Sequence, residues 1–139
     1  MEREDGASLA GMRSAAWAAV ADVGCVLLFV AIGRASHSKG ETLGGLASTA
    51  WPFLAGLAAG WLAARAWRQP IAVAPAGIAA WLGAVAVGMV LRVVAGQGTA
   101  FAFVLVALVF LGLFVVGWRL AARLVSRFRP SSPAGTVPR

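Results

Sequence analysis

The chain has 139 residues, of which 60% are hydrophobic and only 12% are charged, and its formal net charge is +7. A soluble domain of this length cannot cover so much apolar surface, so the composition excludes an ordinary soluble protein. It indicates an integral membrane protein with a single small domain.

In chain order, residues 1–12 are predicted to be a disordered segment, because they are polar and have little to bury. The acidic start and the long apolar run after it are not typical of a cleavable signal peptide, so we expect the first helix to be retained. A transmembrane domain is expected over residues 13–120, with spans at about 14–34, 43–65, 71–94 and 99–119. Each stretch approaches or exceeds the ~20 residues that a spanning helix needs. Residues 121–139 are predicted to be a basic, mostly disordered tail.

The distribution of cations predicts the orientation of these four spans. Nine cations fall on the side of the two termini and three on the other side. The positive-inside rule therefore places both termini in the cytoplasm. The sequence thus predicts an all-α, four-helix membrane bundle whose positive charge faces anionic lipid headgroups and has no nucleic-acid role. Three arginines spaced by four residues after the last span are predicted to anchor the chain in the headgroups: Arg119, Arg123 and Arg127.

Asp22 is the candidate functional residue of the first span. It lies between Arg13 and Arg34, close to the bilayer midplane, and we expect no cation at its depth. Without such a partner the carboxyl is expected to be wholly or partly protonated at neutral pH, with the indole of Trp81 as its hydrogen-bond donor. Two roles stay open: a proton or cation site in a permeation path, or an interhelical hydrogen bond that fixes packing.

A candidate external mouth lies at the opposite end from the termini. Two arginines there are followed by small, flexible residues, and a polar or anionic ligand is one reading of this arrangement. Solvated loops with arginines at span ends are the other reading. The residues of the candidate mouth are Arg34, His37, Thr49, Arg92, Gln97 and Thr99.

Small residues at helix-packing spacing predict close contacts between spans. They are Gly56 and Gly60 in the second span, and Ala84 and Gly88 in the third. Pro52 has no N–H to donate, so the carbonyl of Ser48 is expected to be free of its usual helical partner.

Metal and cofactor chemistry has little support in the sequence. Cys25 is the single cysteine and His37 the single histidine, whereas a structural zinc site usually takes four ligands and a bis-histidine haem takes two histidines. No nucleophile triad, paired carboxylates or phosphate-binding loop is present. We therefore predict no metal, no cofactor and no enzymatic activity.

The order of several short motifs resembles a known family. These motifs are Asp22 in the first span, Gly33-Arg34, Trp51-Pro52-Phe53, Gly88-Met89 with Arg92, and Gly96-Gln97-Gly98-Thr99. The chain is similar to small four-helix membrane proteins of actinobacteria and haloarchaea, a family classed as a domain of unknown function of the DUF3054 type. The resemblance spans about residues 18–118 and implies a compact fold and a multi-pass location in a bacterial plasma membrane. It implies no site residues.

The leading functional prediction is a small transport or permeation protein with Asp22 as its protonatable site. Because four helices enclose little space, a homo-oligomer would provide a path more readily. A non-transporting subunit or assembly factor of a larger membrane complex is the first alternative. A lipid-binding or isoprenoid-binding membrane protein is the second.

Overall fold

The computed structural model describes residues 2–36 and 42–130. These residues form four long helices and contain no strand. All four helices are long and apolar enough to cross a membrane. Their bounds are α1 (Glu2–Ser36), α2 (Leu43–Ala64), α3 (Val73–Val94) and α4 (Phe101–Arg127). The predicted all-α, four-span membrane fold is therefore confirmed.

Successive helices run in opposite directions, which gives the bundle two distinct ends. The Arg34 end contains the end of α1, the start of α2 and the connection from α3 to α4. The Arg68 end contains the start of α1, the end of α4 and the connection from α2 to α3, which includes the short 3-10 turn Ala66–Arg68.

Helices α1 and α4 extend beyond the spans expected from hydropathy. Residues 2–12 are helical, and residues 3–12 are exposed, where the sequence suggested disorder. Two features favour the helix: Glu4 and Asp5 lie in its first turn, where negative charge complements the helix dipole, and strong helix formers such as Ala7 and Leu9 follow. Helix α4 likewise continues to Arg127, so residues 121–127 belong to it, whereas residues 131–139 of the predicted tail lie outside the described part of the chain.

Helices α2 and α3 approach each other closely, and glycine makes this possible. A Cβ atom at Gly56 would meet the carbonyl oxygen of Gly83, and one at Gly60 would meet the carbonyl oxygen of Ala79. Ala84 is fully buried and faces Gly56. A Cβ at Gly88 would come within 3.1 Å of the Phe53 ring. Backbone contact of this kind gains dispersion energy, which matters because lipid supplies no hydrophobic drive between helices.

Helices α3 and α4 each contain a π-helical turn within the bundle. These turns are Gly83–Val87 in α3 and Gly112–Val116 in α4. The indole of Trp81 occupies the space beside Gly112, where a Cβ would lie within 2.9 Å of Nε1. The ring donates from Nε1 to the carbonyl oxygen of Leu108 at 2.9 Å, which ties α3 to α4.

A buried apolar core fills the centre of the bundle. Phe29 packs edge-on against Phe53 at 5.3 Å between ring centroids, and Phe110 lies 5.5 Å from Phe29. Below these rings Val26, Leu57 and other apolar side chains are almost completely buried. In the described part of the chain, this packing separates the polar groups at the Arg34 end from Asp22.

We predict that Gly60→Ala lowers the stability of the protein by about 1–3 kcal/mol, because the added methyl group collides with the backbone of α3. Thermal unfolding in mild detergent measures this effect. Gly44→Ala is the matched control on the same helix, since a Cβ there meets nothing within 4 Å. Equal melting temperatures for the two variants would contradict a close α2–α3 contact.

Candidate functional site

Asp22 is the centre of a buried polar cluster that the sequence analysis did not predict. Its carboxylate is fully buried and forms a two-pronged ion pair with Arg119, which is also fully buried. Arg119 donates from Nη1 to Oδ1 and from Nη2 to Oδ2, each at 2.7 Å. The expectation that Asp22 has no cation at its depth is therefore wrong, and so is the assignment of Arg119 to the headgroups.

Two indoles complete the hydrogen bonding of the carboxylate. Trp61 donates from Nε1 to Oδ2 at 2.8 Å, and Trp118 donates from Nε1 to Oδ1 at 2.9 Å. Each oxygen of Asp22 thus accepts two N–H donors. This arrangement suits an ionised carboxylate, because a proton on either oxygen would have no acceptor among these partners. Trp81 was the expected donor, but its indole is bound to Leu108 instead.

Arg119 is held as firmly as its partner. Its Nε donates to the carbonyl oxygen of Pro70 at 3.0 Å, and Nη1 also donates to the carbonyl oxygen of Val115 at 2.9 Å. Its guanidinium lies 4.4 Å from the ring centre of Trp118. A Cβ at Gly77 would come within 2.8 Å of the Arg119 stem, so α3 also closes around it. We call Asp22, Trp61, Pro70, Trp118 and Arg119 the Asp22 cluster.

The geometry of a helix explains how Arg119 reaches Asp22. Arg119 lies about 27 Å along α4 from Phe101, whereas Asp22 lies only about 18 Å along α1 from Arg34. Side chains on a helix lean toward its N-terminus, so the long arginine folds back by roughly one turn of ~5.4 Å. Its bond to the carbonyl of Val115 shows this path. The Cα atoms of Asp22 and Arg119 therefore lie at different depths, although their side chains meet.

The second candidate site is a cavity of about 540 Å³ at the Arg34 end. We call it the Arg34–Arg92 cavity. Helix α1 contributes Arg34, α3 contributes Arg92, and α2 with the α3–α4 connection contributes neutral polar groups. The polar lining is Arg34, Ser48, Thr49, Arg92 and Gln97, and the apolar lining includes Phe29, Val30, Ala100 and Phe103.

Hydrogen bonds hold both guanidiniums of this cavity in place. Arg34 donates from Nη1 to the hydroxyl of Thr49 at 3.1 Å. Arg92 donates from Nη1 to Oε1 of Gln97 at 2.8 Å and from Nη2 to the carbonyl of Gly98 at 2.9 Å. The guanidinium of Arg92 also lies 4.6 Å from the ring centre of Phe103.

Pro52 positions this network, although it does not touch the arginines. Since Pro52 has no N–H, the carbonyl of Ser48 lacks its helical donor, and Nε2 of Gln97 donates to that oxygen at 3.0 Å. The same Gln97 accepts from Arg92. A proline in α2 therefore fixes the α3–α4 connection and, through it, the direction of Arg92.

Among the described residues, Thr99, Arg123 and Arg127 were also named from the sequence and lie outside these two sites. Thr99 is in the α3–α4 connection but is not among the residues that line the cavity. His37 lies outside the described residues. Arg123 and Arg127 are exposed on α4, and Arg123 borders a separate cleft at the Arg68 end.

We predict that Asp22→Asn and Arg119→Gln each lower the stability by about 3–5 kcal/mol, because each leaves one buried charge without its partner. The double variant should lose much less than the sum of the two, since neither charge remains. Thermal unfolding in uncharged detergent gives all four corners of this cycle. Arg127→Gln, an exposed arginine of the same helix, is the control, with an expected change within about 0.5 kcal/mol. Additive losses would mean that the pair does not act as a unit.

Comparison with family models gives one match, to a family described as a protein of unknown function, DUF3054, over residues 19–122. No curated protein and no solved structure matches the chain. The matched region contains both members of the ion pair and both arginines of the Arg34–Arg92 cavity. Since the match covers well over half of the sequence, the chain belongs to the DUF3054 family, as its motifs predicted.

Proposed function

We propose that this membrane protein binds an anionic amphiphile in the Arg34–Arg92 cavity. By anionic amphiphile we mean a molecule with a phosphate or carboxylate headgroup and an apolar tail. The observation that carries the proposal is the meeting of two guanidiniums with a wall of aromatic and aliphatic side chains in one cavity. This is the lipid-binding alternative of the sequence analysis, now attached to particular residues.

Arg92 supplies the charge that calls for an anion. Within the described part of the chain its hydrogen-bond acceptors are neutral, one from Gln97 and one from Gly98, and its Nε has no acceptor. Its positive charge is therefore not cancelled by these contacts, and part of the side chain is buried. A phosphate or carboxylate offers the acceptor geometry that a guanidinium prefers.

The walls of the cavity favour a ligand with an apolar part. Phe29, Val30 and Phe103 line it beside the arginines. A small hydrophilic ion would not cover these apolar surfaces, so they would contribute nothing to its binding free energy. A volume of about 540 Å³ also exceeds the need of a bare anion and lies within the range of roughly 300–1,000 Å³ that is typical of organic ligands.

The packing below the cavity favours binding over conduction. Phe53 is fully buried and Phe29 is almost so, and both rings lie between the cavity and the Asp22 cluster. Asp22 itself is occupied by four N–H donors. Transport through Asp22 stays a prediction, and the proposed function does not depend on it.

The distribution of cations gives the proposal a direction. Of the cations in the described part of the chain, eight belong to the Arg68 end and two to the Arg34 end, so the positive-inside rule favours an orientation with the cavity at the outer face of the membrane, which we take to be a bacterial plasma membrane. A ligand would then enter from the outer leaflet or from outside the cell.

We predict that Arg92→Gln weakens the binding of a short-chain phosphatidic acid at least about tenfold, since a charge-assisted hydrogen bond contributes about 1.5–3 kcal/mol. Calorimetric titration of the purified protein in uncharged detergent measures the dissociation constant. Phe103→Ala should also weaken the binding of this lipid, because it removes part of the apolar wall, and should have little effect on any binding of inorganic phosphate. Arg13→Gln removes an exposed cation of α1 at the other end and is the control.

Short-chain phosphatidylcholine and inorganic phosphate are the comparison ligands for the same titration. Equal affinity for phosphatidylcholine and phosphatidic acid would show that headgroup charge does not matter, and the proposal would fail. Inorganic phosphate that binds as tightly as the lipid would replace the amphiphile with a small anion.

We predict a graded response at Gln97, which holds Arg92 without carrying charge. Gln97→Leu removes the acceptor of Arg92 and the donor to Ser48, so the affinity for phosphatidic acid should fall several-fold, by about 1 kcal/mol. Gln97→Glu places a carboxylate against Arg92, where it would neutralise the guanidinium. It should therefore lower the affinity for phosphatidic acid more than Gln97→Leu does. The opposite order in the same titration would mean that Arg92 does not contact the headgroup.

A further inference from the structure

We infer that a cleft at the Arg68 end binds the phosphate group of an anionic membrane lipid. The cleft has a volume of about 430 Å³ and lies between α1, the α2–α3 connection and the end of α4. It shares no residue with the Arg34–Arg92 cavity, so the inference does not rest on the proposed function. We call it the Arg68–Arg123 cleft.

Two arginines from distant parts of the sequence meet in this cleft. Arg68 comes from the α2–α3 connection and Arg123 from α4. Within residues 2–36 and 42–130, neither guanidinium has an ion-pair partner. Two like charges that border one cleft repel each other, and an anion between them would turn this repulsion into attraction. Ser14 of α1 adds a hydroxyl group to the same lining.

One wall of the cleft is fixed to the interior of the bundle by the Asp22 cluster. Pro70 lines the cleft, and its carbonyl oxygen is bound by Nε of the buried Arg119. The connection that carries Arg68 is therefore fixed to the interior of the bundle through Arg119. A preorganised cleft loses less conformational entropy when a ligand binds than a mobile loop would.

The rim of the cleft points to a lipid rather than to free phosphate. Trp67 and Ile71 line it and are 45% and 44% exposed. Tryptophan at the end of a membrane span is typical of the headgroup region, where one part of the ring is apolar and the other is wet. A lipid phosphate at this depth would meet both arginines while its acyl chains contact these apolar side chains.

The test is a titration of phosphatidylglycerol into the full-length protein in uncharged detergent, with bound lipids counted by native mass spectrometry. The test variant is Arg68→Gln with Arg123→Gln. The matched control is Arg13→Gln with Arg127→Gln, which removes the same charge from exposed positions at the same end that do not line the cleft. Both pairs are also prepared with Arg92→Gln, which is expected to weaken any lipid binding at the other cavity. Melting temperatures show that each variant is folded.

We expect the test variant to lose one bound lipid, or to bind it at least about tenfold more weakly, and the control to stay within about twofold of the unchanged protein. This difference should persist in the Arg92→Gln background, where failure of the proposed function has no influence. Equal losses in the test and control pairs would mean that net charge alone attracts the lipid, and the inference would be overturned. It would also be overturned if phosphatidylcholine bound equally well, or if only inorganic phosphate depended on Arg68 and Arg123.

Discussion

The ion pair of Asp22 and Arg119 is fully buried and joins the first helix of the bundle to the last. Neither charge is stable alone in an apolar interior, so the first and last helices must meet for either to be tolerated. The indoles of Trp61 and Trp118 donate to the carboxylate oxygens of Asp22, and the carbonyl of Pro70 accepts from Nε of Arg119. Through these contacts one ion pair joins α1, α2, α4 and the α2–α3 connection. In lipid, where apolar helices gain little from leaving their surroundings, such polar contacts specify which helices are neighbours.

The remaining contacts are divided between two other kinds of packing. Helices α2 and α3 approach through glycine, so that backbone meets backbone at Gly56 and Gly60. The centre of the bundle is closed by aromatic rings, among which Phe29 and Phe53 are the most enclosed. Polar pairing thus sets the arrangement of the helices, and close packing of small and aromatic residues sets their distances. The same rings confine the Arg34–Arg92 cavity to one end.

Hydropathy was enough to predict four spans because a bilayer leaves few ways to satisfy the backbone. The free carbonyl of Ser48 also followed from Pro52, since a missing N–H is a local property. Its acceptor role toward Gln97 did not follow, because that contact joins positions that are close only in the folded bundle. The partner of Asp22 could not be predicted for the same reason, because Asp22 and Arg119 are close only in the folded bundle. Arg119 was assigned to the headgroups from the spacing of its neighbours, and only the backward lean of its side chain brings it into the interior. Nothing in the local sequence links Trp61 and Trp118 to a carboxylate, because these contacts too form only in the folded bundle.

Arg119 and Arg92 are held in opposite ways, and this contrast distinguishes a cation that is neutralised within the chain from one that a ligand can use. Arg119 forms an ion pair with a carboxylate of the chain itself, so its positive charge is neutralised within the bundle. The described contacts of Arg92 are with neutral oxygens, and those oxygens orient the guanidinium without neutralising it. A cation that is oriented, partly buried and left charged is a feature of a binding site, because the stability of the fold alone would be served better by an apolar residue. The proposed ligand binding of this chain is therefore centred on Arg92 and its surroundings, and the Asp22 cluster links the helices that carry them.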